Sequence, residues 1–148
     1  MTSALELPRL LASRVRAPGR RNAELRALRE AFRRTVVEDI TGPVVAALYV
    51  LVRPGQDPAP RLAGARAAAG RAGYTVAEVL VEDAWTEDPA LRPRLAYALT
   101  LMQQRGIHGL VAVSRTDISC HDGLYEAELR RLRGAGGFLY LAHDEVHS

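Results

Sequence analysis

Nine consecutive apolar residues, from Val44 to Val52, form the segment that most limits the folds open to this chain. An apolar run of this length that ends at a breaker, here Pro54-Gly55, predicts a buried strand. In α/β folds, the loop at the carboxyl end of such a strand is where ligands bind. Arg53, which directly follows the run, is therefore the first candidate site residue.

The composition is that of one globular domain. At 148 residues, with 48% hydrophobic and 25% charged residues, the chain is long enough to bury a core. We expect neither a membrane span, which needs roughly 18 apolar residues, nor a signal peptide. With Cys120 as its single cysteine the chain has no internal disulfide. We predict a cytoplasmic protein without metal or cofactor.

Positive charge is concentrated near the amino terminus. All 20 basic residues are arginines, and nine of them lie among residues 1–34 together with only three glutamates. That segment carries a net charge of +6, whereas the formal charge of the whole chain is +3. The basic character therefore belongs to an amino-terminal arm.

The chain divides into a basic arm, residues 1–43, and an α/β domain, residues 44–148. In the arm, Asn22 is a candidate helix cap, and apolar residues follow it at helical spacing. This apolar stripe consists of Leu25, Leu28, Phe32 and Val36. It predicts an amphipathic helix that either docks on the domain or serves as an interface. The arginines that would contact nucleic acid or a partner are Arg20, Arg21, Arg26, Arg29, Arg33 and Arg34.

Strand and helix patterns alternate through residues 44–148. Strands are predicted at 44–52, 75–81, 110–113 and 138–142. Helices are predicted at 61–72, 89–105 and 122–133, with Asp122 as the cap of the last one. This order predicts a three-layer α/β/α domain with a mainly parallel sheet of about four strands, plus the helical arm.

Several short motifs, in this order, resemble those of the serine recombinase catalytic domain, the resolvase/invertase family. The first strand of that family reads Tyr-x-Arg-x-Ser, and this chain has Tyr49, Leu51 and Arg53 at those three positions. Arg92-Pro93-Arg94-Leu95 resembles the Arg-Pro-x-Leu motif, and Ser114-Arg115-Thr116-Asp117-Ile118 resembles Asp-Arg-Leu-x-Arg. Two acidic strand ends are similar as well: Glu82-Asp83 and Asp144-Glu145.

The resemblance implies a resolvase-like fold whose site lacks its nucleophile. In the family, the serine attacks a DNA phosphate, and arginines stabilise the charge on the phosphoryl group. Arg92 and Arg115 match two of those arginines, whereas Arg53 stands at the position of the serine. An arginine side chain stays protonated and offers no lone pair for attack on phosphorus. Further site residues are replaced by Leu51, Ser114 and Ile118, so we expect no strand exchange.

An anion-binding pocket is the remaining candidate site. Its residues would be Arg53, Arg92 and Arg115, with Tyr49 and Ser114 as secondary candidates. The alternative is that one or more of these arginines pairs with a structural acid. A nucleophilic role of Ser114 would need a base, and nothing in the sequence places one beside it.

We predict a catalytically inactive serine-recombinase-like domain that serves as a binding or regulatory module. A homo-oligomer or a protein partner is expected, and DNA is a further candidate partner through the basic arm. Two alternatives stay open. One is a scaffold subunit that uses the amphipathic helix of the arm and has no nucleic-acid role. The other is a residual enzyme that acts on a phosphate-bearing ligand.

Overall fold

The computed structural model describes residues 17–83 and 86–147. Within these residues, one helix precedes an alternation of four strands and three further helices. The helices are α1 (Ala17–Glu38), α2 (Ala59–Ala72), α3 (Pro93–Gln103) and α4 (Asp122–Gly134). The strands are β1 (Val45–Leu51), β2 (Thr75–Glu82), β3 (Gly109–Ala112) and β4 (Phe138–Leu141). Two 3-10 turns, Pro89–Leu91 and Arg115–Asp117, precede α3 and α4.

All four strands are parallel and lie in the order β2-β1-β3-β4. This arrangement confirms the predicted α/β fold with a parallel sheet. The chain passes from β1 to its neighbour β2 and then returns to β3 on the other side of β1. In open parallel sheets, a crevice forms at such a reversal of strand order, outside the carboxyl ends of the strands.

Buried apolar side chains form a layer on each face of the sheet, because successive strand residues point to opposite faces. The thinner layer joins α2 to the sheet and consists mainly of Ala46, Leu48, Ala65, Ala68 and Ala69. The thicker layer joins α1, α3 and α4 to the opposite face and includes Leu25, Tyr49, Leu95, Leu110 and Leu129. The helices are therefore divided one against three between the two faces.

The helix of the arm packs on the domain. α1 begins at Ala17, so the prediction that Asn22 caps it is wrong. Pro18 stands in the first turn, where a missing backbone N–H leaves no hydrogen bond unmade. Asn22 lies inside the helix, and its side-chain oxygen accepts a hydrogen bond from Arg115 at 2.9 Å. The boundary between arm and domain stays a prediction.

The structure corrects the predicted start of α3 and the predicted cap of α4. The single helix expected over residues 89–105 is a 3-10 turn followed by α3. Pro93 disfavours a helical conformation of the residue before it, and Arg92 is extended, at φ −91° and ψ 125°. α4 begins at Asp122 itself, so His121 and not Asp122 occupies the capping position. The Asp122 carboxylate accepts a hydrogen bond from Arg115 at 2.8 Å instead.

The described residues contain no helix that is both long enough and apolar enough to cross a membrane.

Candidate functional site

A cavity of about 700 Å³ opens at the carboxyl edge of the sheet, at the reversal of strand order. Its walls come from the loops that follow β1, β2 and β3 and from the first turn of α2. We call it the carboxyl-edge cavity. Among the described residues, three arginines line it: Arg53, Arg61 and Arg92.

Arg53 lies at the exit of β1 on an exposed turn. Its backbone N–H donates to Oε1 of Gln56 at 2.9 Å, and its carbonyl oxygen accepts from the backbone N–H of Gln56 at 2.9 Å. Both residues line the carboxyl-edge cavity. The turn therefore places Arg53 on the wall of the carboxyl-edge cavity.

Arg92 lines the same cavity but is only 2% exposed. Its guanidinium donates to the backbone carbonyl oxygens of Thr86, at 3.0 Å, and Asp117, at 2.8 Å. Its Nη1 also lies 3.5 Å from the hydroxyl of Tyr49. Arg92 thus fixes the loop between β2 and α3 to the 3-10 turn after β3 while it contributes positive charge to the wall.

Asp117 holds the centre of the site together. One carboxylate oxygen accepts from the backbone N–H of Leu51 at 3.0 Å, and the other accepts from Val113 at 3.0 Å and Ser114 at 3.3 Å. The same carboxylate receives two hydrogen bonds from Arg61, at 3.0 and 2.8 Å. The side chain of Asp117 is 1% exposed. It therefore joins the ends of β1 and β3 to the start of α2.

Sequence reasoning missed Arg61. The signal was its position in the first turn of the helix that follows the site strand. A cation there opposes the helix dipole, so its presence calls for an acidic partner or an anionic ligand nearby. The structure supplies the acidic partner in Asp117, and Arg61 remains 28% exposed on the cavity wall.

Arg115 lies apart from the other two predicted arginines. Its Nη1 donates to Asp122 at 2.8 Å and to Asn22 at 2.9 Å, and its Nε donates to the carbonyl oxygen of Ser119 at 3.1 Å. Its Cζ lies 4.6 Å from the centroid of the Tyr125 ring. The structure thus brings Arg53 and Arg92 to one cavity, whereas Arg115 joins α1 to the start of α4.

The two secondary candidates are occupied by hydrogen bonds. Tyr49 is fully buried, and its hydroxyl donates to Glu82 at 3.2 Å. Burial raises the pKa of Tyr49 far above its ordinary value, so the phenol stays protonated. Oγ of Ser114 lies 2.7 Å from Oγ1 of Thr116, and Ser114 caps the 3-10 turn after β3. Neither residue is among the described residues that line the cavity.

The rim of the cavity carries a thiol and an imidazole. Cys120 is exposed and lines the cavity beside His121. Nε2 of His121 lies 3.2 Å from a carboxylate oxygen of Glu87. The described residues contain no cluster of three or more histidine, cysteine or acidic side chains that could hold a metal ion. The rim therefore offers polar contacts to a ligand and a reactive group for chemical labelling.

Most of the predicted contact arginines of the arm face acids within the chain. Ion pairs join Arg20 to Glu24, Arg21 to Glu126, Arg26 to Asp144, Arg29 to Glu145, and Arg33 to Glu30. Arg34 is exposed. Of the apolar stripe, Leu25 and Val36 are buried, and Leu28 and Phe32 pack partly buried against the core. The stripe thus contacts the chain's own domain.

Solved structures with a similar fold are catalytic domains of serine recombinases. One is the C-terminal catalytic domain of ISC1926 TnpA, an IS607-like serine recombinase. It is 18% identical, with a TM-score of 0.57 over 67% of this chain and 70% of the other. A second is the N-terminal catalytic domain of TP901-1 integrase, which is 10% identical, with a TM-score of 0.57 over 66% of this chain and 76% of the other.

No protein-family model matches the chain, and neither does any curated protein sequence. At these identities, the similarity to solved structures concerns the fold and not the site. The chain has the fold of serine recombinase catalytic domains, the resolvase-like α/β fold.

Proposed function

We propose that this domain binds a phosphate-bearing ligand in the carboxyl-edge cavity and does not exchange DNA strands. The observation that carries the proposal is the convergence of Arg53, Arg61 and Arg92 on one cavity at the carboxyl edge of a parallel sheet. Guanidinium groups bind phosphate oxygens with two parallel hydrogen bonds, which makes arginine well suited to such a ligand.

The start of α4 favours an anion as well. It lies at the rim of the cavity and receives no hydrogen bond from the side chain of His121, its capping residue. At the start of α2, the N–H of Ala59 already donates to the Asp57 carboxylate at 3.0 Å. The amino-terminal end of a helix carries partial positive charge and unpaired N–H groups. A cavity of about 700 Å³ lies within the size range of small-molecule sites.

The absence of strand exchange is proposed from the residues at the strand ends. Arg53 stands where the motif has its serine, and an arginine cannot act as a nucleophile. The hydroxyl of Ser114 is bonded to Thr116, and Tyr49 is buried and protonated. Phosphate binding without chemistry is the function that these groups support.

An interface role of the amphipathic helix receives less support. Leu25 is fully buried, and Arg29 of the same helix is buried in an ion pair with Glu145. A partner would have to displace this packing before it reached the apolar stripe. DNA remains the candidate phosphate source, because exposed arginines such as Arg20 and Arg34 can add contacts to a phosphate backbone.

Alkylation of Cys120 tests the proposal. This residue is the only cysteine and lines the cavity, so a bound ligand slows its reaction with iodoacetamide. We expect protection by inorganic phosphate or by a short DNA duplex at low ionic strength. Arg53→Ala should lower the affinity for the protecting ligand about tenfold, since a charge-assisted hydrogen bond contributes roughly 1.5–3 kcal/mol.

Arg66→Ala is the matched control, because Arg66 is exposed on α2 and lies outside the cavity lining. It should change protection less than about twofold, as surface substitutions away from a site usually do. No protection by either ligand, or equal effects of the two substitutions, would overturn the proposal.

A further inference from the structure

Three helices end at the amino edge of the sheet with the same hydrogen-bond pattern. After α2, the N–H of Gly73 donates to Gly70 and that of Tyr74 to Ala69. After α4, Gly136 donates to Arg133 and Gly137 to Leu132. After α3, the corresponding donors are Arg105, to Met102 at 3.0 Å, and Gly106, to Leu101 at 2.8 Å. Each end is thus a Schellman motif.

The residue at the left-handed position differs in one of the three motifs. Gly73 and Gly136 have φ values of 78° and 89°. Arg105 has a φ of 62°, and it is the only residue other than glycine with a positive φ among the described residues. Glycine adopts this conformation without steric cost, whereas an arginine is strained by its Cβ. Strain that persists at one of three equivalent positions indicates a role for the side chain.

Arg105 lines a second cavity, of about 380 Å³. It lies at the opposite edge of the sheet from the carboxyl-edge cavity, between the carboxyl-terminal ends of α1, α3 and α4. We call it the amino-edge cavity. Arg133 and His108 line it as well, together with residues 39–41 after α1.

Donor groups in this cavity are unused by the described part of the chain. Neither the guanidinium of Arg105 nor that of Arg133 forms a hydrogen bond or an ion pair with a described residue. Nδ1 of His108 accepts a hydrogen bond from the backbone N–H of Val45 at 2.9 Å, which leaves the ring proton on Nε2 as a donor. The acid that lines the cavity is Asp39, so two guanidinium groups face one carboxylate.

We propose that the amino-edge cavity binds a phosphate-class oxyanion, with Arg105 and Arg133 as its guanidinium donors and His108 as a further donor. The backbone strain at Arg105 is then the cost of a guanidinium group in the cavity, which a glycine at this position would lack. The helix ends oppose an anion through their partial negative charge, and the two arginines outweigh that effect because each carries a full charge. The ligand is a free phosphate or a phosphodiester of nucleic acid.

The test uses backbone amide NMR signals of the full chain during titration with inorganic phosphate, at constant ionic strength. The amides of Thr41 and Gly136 should shift in a saturable manner, because both residues line the amino-edge cavity. In Arg105→Gly this shift should be lost. The same substitution should raise Tm without ligand, since glycine relieves the backbone strain.

A second variant and a matched control test whether the phosphate shift depends on the arginines of this cavity. Arg133→Gln should also abolish the shift, whereas Arg71→Ala should retain it, because Arg71 stands in the last turn of α2 outside the cavity. A phosphate shift at Thr41 and Gly136 that persists in Arg105→Gly, or is absent from the wild type, overturns the proposal.

A DNA duplex that shifts the same amides in competition with phosphate identifies the phosphodiester source, and a response to phosphate alone identifies the free ion. Arg53→Ala should leave the shifts of Thr41 and Gly136 unchanged, because Arg53 lies in the other cavity. Failure of phosphate binding at the carboxyl-edge cavity is thus distinguishable from failure at this one.

Discussion

The guanidinium of Arg29 binds both carboxylate oxygens of Glu145, with Nε to Oε2 at 2.7 Å and Nη2 to Oε1 at 3.1 Å. The hydroxyl of Tyr125 donates to the same carboxylate at 2.6 Å. All three residues are buried. This contact joins the first helix to the segment after the last strand. α1, α4 and the segment after β4 therefore share one buried charged cluster.

Removal of one member of this pair should destabilise the fold strongly. Arg29→Met leaves Glu145 buried without its counter-charge, at an expected cost of about 3–5 kcal/mol in the free energy of unfolding. The double variant Arg29→Met, Glu145→Leu should lose less than the sum of the single variants. Urea unfolding followed by circular dichroism measures these values.

Arg34→Met is the control for that cycle, because Arg34 is exposed on the same helix. Its effect should stay within about 0.5 kcal/mol. Additive losses in the double variant would contradict a direct coupling between Arg29 and Glu145.

Gly109→Ala should destabilise the sheet, whereas Gly70→Ala should not. A Cβ at Gly109 would lie 2.6 Å from the ring of Phe138 on the neighbouring strand. Overpacking of this kind costs about 1–3 kcal/mol. A Cβ at Gly70 meets nothing within 4 Å, and alanine there should stabilise α2 by roughly 0.5–1 kcal/mol. The Tm of both variants, measured by thermal unfolding, tests this prediction. Equal Tm values for the two variants would contradict the packing argument.

Glu128 should reduce stability at neutral pH. Burial raises the pKa of its carboxyl above the ordinary value of 4.5, although Arg131 opposes the shift. A raised pKa in the folded state means that stability present at low pH is lost as pH rises through that pKa. The free energy of unfolding of Glu128→Gln, minus that of the wild type, should therefore be larger at about pH 7 than at about pH 4. Urea unfolding at the two pH values measures this difference.

Glu126, on the same helix, is a control whose stability should depend on pH in the opposite direction. Hydrogen bonds from Arg21 and Arg130 lower the pKa of its carboxyl. Its stabilising contribution is present above the ordinary pKa and lost as pH falls through the lowered value. Glu126→Gln should thus lose stability relative to the wild type at neutral pH, and the loss should shrink towards acid. The same sign of pH dependence in both variants would contradict these assignments.

Restoring a serine alone should not create a recombinase. Arg53→Ser puts a hydroxyl at the motif position, but by the resemblance of the motifs Leu51 and Ile118 would still replace two arginines of that family. Without those charges, the phosphoryl transition state lacks stabilisation. Incubation with supercoiled plasmid should give no covalent protein–DNA adduct for the wild type or the variant. An adduct with the wild type would refute the proposed lack of strand exchange.

Local sequence information was sufficient to predict β1 and the turn that follows it. The apolar run and the Pro54-Gly55 breaker are contiguous, and the structure has β1 at Val45–Leu51 with Arg53 on a turn after it. The alternation of later elements likewise sufficed for the parallel sheet. Pro93 also carried enough information to divide the predicted helix, because proline restricts the residue before it.

The side-chain contacts of the site were not predictable in this way. Asp117 joins residues 56 and 66 positions away in sequence, Arg61 and Leu51. Arg115 matched a site motif, yet Asn22, 93 positions away, holds it against α1. Such contacts depend on how elements pack in three dimensions, which neither periodicity nor motif spacing records.

The alanine-rich contact of α2 has a consequence for local opening. Alanine buries less apolar area than leucine, so Ala65, Ala68 and Ala69 hold α2 on the sheet with less hydrophobic stabilisation than the thicker layer gives the other helices. The amide hydrogens of α2 should then exchange with solvent before those of α3 and α4. Because α2 carries Arg61, we expect its opening to move one wall of the carboxyl-edge cavity and to break the contact between Arg61 and Asp117.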